Sequence, residues 1–204
     1  SGMDIGDFFR FLFKMTLSRN QMTRDIQSMR TDIADLKSML VPFTKEEMEL
    51  LSLNQSNQSK KKGFQPLTKG IFNTIYYEPL IAYAIKSYPG DNKLILITST
   101  TDEFIYLIKP EYTQVYMNNI EAGIITPKGE FFSINKTLLA TVDGADHLPT
   151  HAVFIKNKNV GFIANPKYSE KTIPRAFTLL KDMNIDEQNI FLCLTLINLI
   201  EEAQ

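Results

Sequence analysis

The segment between Asp186 and the last residues restricts the fold more than any other. Ile190, Phe191, Leu192, Cys193, Leu194, Leu196, Ile197, Leu199 and Ile200 are all apolar. On a helical wheel these positions cover every face. A helix apolar all round has to be surrounded, by protein or by lipid. The run 190–200 is too short to cross a bilayer, which takes about 20 residues. The helix is therefore expected inside a shell of protein. Asp186 can cap its start, with Glu187 favourable beside the positive helix end. Phe191, Leu194 and Ile197 on one side, and Leu192, Leu196 and Leu199 on the other, should be buried together.

Residues 64–165 can supply that shell. Short runs at 71–77, 81–87, 94–99, 103–108, 114–117, 123–126, 130–134, 138–142, 152–156 and 160–164 are rich in Ile, Phe, Tyr, Val and Thr. Turn formers separate them. Thr126-Pro127-Lys128-Gly129 places Pro at the favoured second turn position. Asn157-Lys158-Asn159 divides two apolar runs as a hairpin loop should. Strands this close, with no helix between them, imply an antiparallel sheet or barrel. A short helix is expected over 173–183, starting near Pro174.

The N-terminal part reads differently. Ser1-Gly2 before Met3 has the look of a cleavage remnant. Residues 4–51 are expected as a long helix, ended or kinked near Leu40 by Pro42. Thr44 and Glu47 can cap a short continuation over 45–53. Apolar residues at Met22, Ile26, Met29, Ile33, Leu36 and Leu40 alternate three and four apart, the heptad spacing of a coiled coil. In a parallel pair, Asp25 would face Arg30 and Asp32 would face Lys37, with opposite signs each time. Ile at one seam position with unbranched residues at the other favours two strands. The same stripe also suits a single amphipathic helix packed on its own domain. The polar stretch 54–63, with Lys60-Lys61-Lys62, reads as a linker. The expected organisation is α+β: a helical or coiled-coil segment over 3–53, the linker, and an antiparallel β-domain with C-terminal helices over 64–204.

Chemistry is sparse. The formal net charge is −1, without the basic excess that phosphate neutralisation demands, so nucleic acid is not an expected partner. One cysteine allows no internal disulfide and leans to a reducing compartment, so a cytoplasmic setting is expected, with membrane association as the alternative. No phosphate loop, dinucleotide fingerprint, nucleophile elbow or paired-cysteine motif is present. No cofactor is implied, and an enzyme is not the favoured reading. The one cluster of ligand-type residues is Asp143, Asp146, His147 and His151, which a loop could gather around a metal. Pro149 opposes a helix there, and a polar turn accounts for the same residues. Phe8, Phe9 and Phe13, with Arg10 and Lys14, could lie in a membrane interface.

A strand run ending Val160-Gly161-Phe162-Ile163, then Asn184-Ile185-Asp186 entering the apolar helix, then Glu201-Glu202, make the last third of the chain resemble the tubby C-terminal-like barrels. That superfamily includes the phospholipid scramblases and a plant defence-related group. The resemblance implies a closed β-barrel around a hydrophobic helix. It is a likeness of shape. No calcium-loop or phosphoinositide-binding signature of those relatives can be placed residue by residue, so no site is carried over. The functional expectation is a non-catalytic interaction or ligand-binding module that self-associates through its N-terminal helix, as a parallel homodimer. A peripheral, lipid-binding, scramblase-like protein is the alternative. A metal-dependent enzyme on the His147–His151 loop is a third reading. A further protein or lipid partner is expected without being named.

Overall fold

The computed structural model describes residues 19–168 and 174–201. Twelve strands form one antiparallel sheet in sequence order. They are β1 (Leu51–Lys61), β2 (Leu67–Thr74), β3 (Pro79–Tyr88), β4 (Asn92–Thr98), β5 (Glu103–Ile108), β6 (Thr113–Met117), β7 (Ile120–Ile125), β8 (Glu130–Ser133), β9 (Leu138–Asp143), β10 (Thr150–Ile155), β11 (Lys158–Ala164) and β12 (Phe177–Leu179). The sheet curls until its ends meet. Ser52 bridges Arg175, the Leu53 N–H donates to the Pro174 carbonyl at 3.0 Å, and the Ala176 N–H donates to Leu51 at 2.7 Å. The result is a nearly closed barrel.

Four α-helices and a 3-10 turn at Pro166–Tyr168 complete the described chain: α1 (Arg19–Asp32), α2 (Ala34–Lys37), α3 (Lys45–Leu50) and α4 (Ile185–Glu201). The apolar helix α4 fills the barrel. Phe191, Leu192, Leu194, Leu196, Ile197 and Leu199 are all buried, on both sides of the helix. They share one cluster with inward residues of the wall, among them Tyr83, Ile95, Ile97, Phe104, Tyr106, Val115 and Val153. Phe177 of β12 meets Phe191 edge to face at 5.1 Å. The Tyr106 hydroxyl donates to the Cys193 carbonyl at 2.7 Å, which satisfies a polar group deep in the core.

A second apolar layer lies outside the wall. Met29, Ile33 and Leu36 pack on Ile71, Ala82, Ala84, Leu94, Leu96, Ile105 and Leu107. Strands β3 to β5 therefore face α4 with one set of side chains and α1–α2 with the alternate set. This explains why Leu94-Ile95-Leu96-Ile97 and Phe104-Ile105-Tyr106-Leu107 are continuous apolar runs rather than alternating ones: both faces are covered.

Three expectations are corrected. Among the described residues there is no long N-terminal helix. α1 has 14 residues, α2 adds one turn after an irregular Ile33, and the chain leaves helix near Ser38. The Val41 N–H donates to the Pro79 carbonyl at 2.8 Å, so docking onto the start of β3 takes over where Pro42 forbids helix. The first part of the expected helix, 4–18, lies outside the described residues. The stretch expected as a linker belongs instead to β1 up to Lys61. Its polarity misled because neighbours satisfy it: Asn54 accepts from Asn73 at 2.9 Å, and Gln55 accepts from the Tyr83 hydroxyl at 2.5 Å. The short helix expected over 173–183 is replaced by β12, because the edge of β11 takes up its backbone from Phe177 to Leu179.

The turns follow local chemistry. Thr126–Gly129 forms the expected turn, the Gly129 N–H donating to the Thr126 carbonyl at 3.0 Å. The β10–β11 turn sits one residue earlier than read, at Lys156 and Asn157, with φ of 51° and 64°. Positive φ at both central residues is what a two-residue hairpin of this hand requires.

Candidate functional site

Antiparallel order sends every odd-numbered strand the same way, so the turns after β1, β3, β5, β7, β9 and β11 gather at one end of the barrel. A cavity of about 410 Å³ opens there. Its wall comes from four of those crossings: Ile108 to Thr113 after β5, Ile125 to Gly129 after β7, Val142 to Asp146 after β9, and Ile163 to Lys167 after β11. The C-terminal half of α4 forms the floor with Leu194, Ile197 and Asn198. Within 190–200 only Thr195 and Asn198 are polar. Thr195 is buried and its hydroxyl donates to the Phe191 carbonyl at 2.7 Å. Asn198 is only half-buried and lines the cavity.

The rim is held by specific contacts. Buried Asn165 ties two segments together. Its side-chain amide donates to the carbonyls of Asp146 at 2.7 Å and Leu148 at 2.9 Å, while its backbone N–H donates to Pro149 at 2.8 Å. Gly129, at φ 78°, lies so close to β9 that a Cβ would stand 2.8 Å from the Val142 carbonyl oxygen. Gly144, at φ 136°, lets the His151 imidazole lie against the backbone, where a Cβ would meet Nδ1 at 2.8 Å. These positions fix the loop shapes that frame the opening.

The lining mixes three lysines, Lys109, Lys128 and Lys167, with one carboxylate, Asp146, and His151. The final turn of α4 reaches the same end.

The four metal-ligand candidates are spread along this rim. Asp146 and His151 line the cavity, while Asp143, at the end of β9, and His147, on the loop after it, are exposed beside it. Among the described residues no three His, Cys, Asp or Glu side chains come together as a metal would need. The six seam residues lie on the barrel: Met29, Ile33 and Leu36 are buried against it, with Met22, Ile26 and Leu40 partly covered. Two of their charged flanks, Arg30 and Asp25, also turn to the barrel. Arg30 forks onto Glu103 at 2.5 and 3.0 Å. Asp25 takes the Tyr88 hydroxyl at 2.5 Å and Lys86 at 3.3 Å, and the Asp32 carbonyl accepts from Lys69 at 2.8 Å. Phe8, Phe9 and Phe13 lie outside the described residues. Cys193 is buried, and burial pushes its thiol up to about 12, well away from the thiolate form that reacts.

Reading the sequence alone missed the mouth. Its residues come from five separated segments, and no spacing links them. The one local signal is Asn198, which with Thr195 interrupts the apolar run and, unlike Thr195, is not fully buried. No family model, curated protein or solved structure matches this chain.

Proposed function

We propose that this protein is a binding module whose ligand enters the mouth of the barrel. The observation that carries this reading is the cavity between the β5, β7, β9 and β11 crossings and the floor at Asn198. A barrel filled by its own helix has no interior left to hold a ligand, so recognition falls to the open end. Polar and charged groups of the rim stand there over a floor of Leu194, Ile197 and Asn198, a lining more polar than that of most small-molecule sites, which suits a polar ligand. A place among the tubby C-terminal-like barrels is part of the same proposal. The antiparallel barrel and its enclosed helix support it.

Thermal denaturation in the presence of a panel of sugars, carboxylates and nucleotides tests the reading. A true ligand at about a hundred times its dissociation constant should stabilise the fold by about 2.7 kcal/mol. The gain should vanish in Asn198→Trp, which fills the floor, and weaken in Lys128→Glu, which alters an exposed turn. If no compound shifts the wild type, or the shift survives both changes, the mouth is not the site.

A further inference from the structure

The turn between β1 and β2 stands at the same end as the mouth. Residues 57–65 are exposed along their whole length. Lys60 and Lys61 close the β1 register, opposite Thr68 and Leu67. Neighbours in a strand point to opposite faces, so these two lysines serve both sides of the hairpin. Lys62 follows, then Gly63 at φ 151°, where an added Cβ would meet nothing within 4 Å. Phe64, at the tip, is 86% exposed, the highest value among the large exposed apolar residues of the described chain.

We propose that this hairpin tip is a docking surface for an anionic membrane. Three adjacent lysines and one aromatic ring are the two halves of interfacial binding: charge draws the tip to acidic headgroups, and the ring enters the boundary beneath them. Lysines alone would also suit a strand end that has to resist pairing with other chains. Phe64 is what that role leaves unexplained, since a bare phenyl ring at such an end invites association. Nucleic acid is the less fitting polyanion. The chain has a net charge of −1, and a single ring offers no run of stacking platforms. Docked this way, the protein would turn its mouth toward the membrane. The inference stands independently of whether the mouth holds a ligand.

Co-sedimentation of the full chain with phosphatidylcholine vesicles, with and without phosphatidylserine, at low salt is the test. Wild type should sediment with the acidic vesicles and be released as salt rises. Each lysine contributes roughly a fivefold change in partition, so Lys60→Gln/Lys61→Gln/Lys62→Gln should weaken binding by about a hundredfold. Phe64→Ser should weaken it roughly tenfold. All four positions are exposed, and unchanged thermal melting of both variants establishes that the fold is intact. Wild type left in the supernatant overturns the proposal, and so does either variant sedimenting like wild type. Equal affinity for a duplex oligonucleotide would make the tip a general polyanion contact and overturn the membrane assignment as well.

Discussion

Helices α1 and α4 both carry apolar stripes, and the barrel wall lies between them. On α1 the buried side is narrow. Met29 is covered, while Gln21, Arg24, Gln27, Ser28 and Thr31 face outward. On α4, every residue from Phe191 to Ile200 except Asn198 is buried. The outer helix needs polar side chains on its free side and ion pairs at its margins, such as Arg30 with Glu103 and Asp25 with Lys86. The inner helix can use neither, because a charge there would have no water and no partner. The width of an apolar stripe thus reports how many sides are covered. It does not report what covers them: the heptad spacing of α1 suits a partner helix and a curved sheet equally.

The sharpest way to break this contrast is a charge. Leu196→Asp, Leu196→Lys and Leu192→Lys should each abolish folding, because both positions are enclosed. Gln27→Lys on the outer side of α1 should stay within about 0.5 kcal/mol of wild type. Circular dichroism and chemical denaturation separate the outcomes. One tolerated charge on α4 would mean that its helix lies across a face rather than inside.

Truncation should give a graded version of the same difference. Leu196→Ala should cost about 2–5 kcal/mol through lost transfer energy and the cavity left behind. Ile33→Ala, at the outer layer where neighbours can close in, should fall near the lower end, about 2 kcal/mol. Equal costs in urea denaturation would show that the outer layer is packed as rigidly as the core.

The ion pair at the margin of α1 should matter less. Arg30→Ala removes a two-pronged contact to Glu103 between partly exposed side chains and should cost about 1 kcal/mol. The same helix bears on assembly. With its seam already against the barrel, we expect a monomer by light scattering at micromolar concentration. A dimer that dissociates when Ile33 or Leu36 is made polar would mean that α1 prefers a second copy to its own wall.

The smallest effect concerns alkali. Burial first, then the bond to the Asp25 carboxylate, raises the Tyr88 phenol above its ordinary value of about 10. Its contribution is therefore present below about pH 10 and is lost as pH climbs through the higher folded value. Tyr88 is only half-buried, so the loss should be modest. Ultraviolet titration of wild type against Tyr88→Phe should show that the missing phenol is one of the last to ionise.

Local chemistry in the sequence determined much of this protein. Period-two and continuous apolar runs placed ten strands, Glu103–Ile108 among them to the residue. Pro127 and Gly129 marked their turn, and the wheel of α4 demanded an enclosure. The two strands that were not legible, β1 and β12, are the ones that close the barrel. β1 is too polar to announce itself, because Gln55 and Asn54 bond to Tyr83 and Asn73, residues distant in the chain. β12 is three residues long and is defined by the edge it pairs with. Closure, the side of the wall that α1 covers, and the gathering of Lys128, His151, Asn165 and Asn198 at one mouth all depend on contacts between distant segments. Side-chain periodicity is a local property and carries sidedness. Which surface fills that side is decided only when the whole sheet curls and its two ends meet.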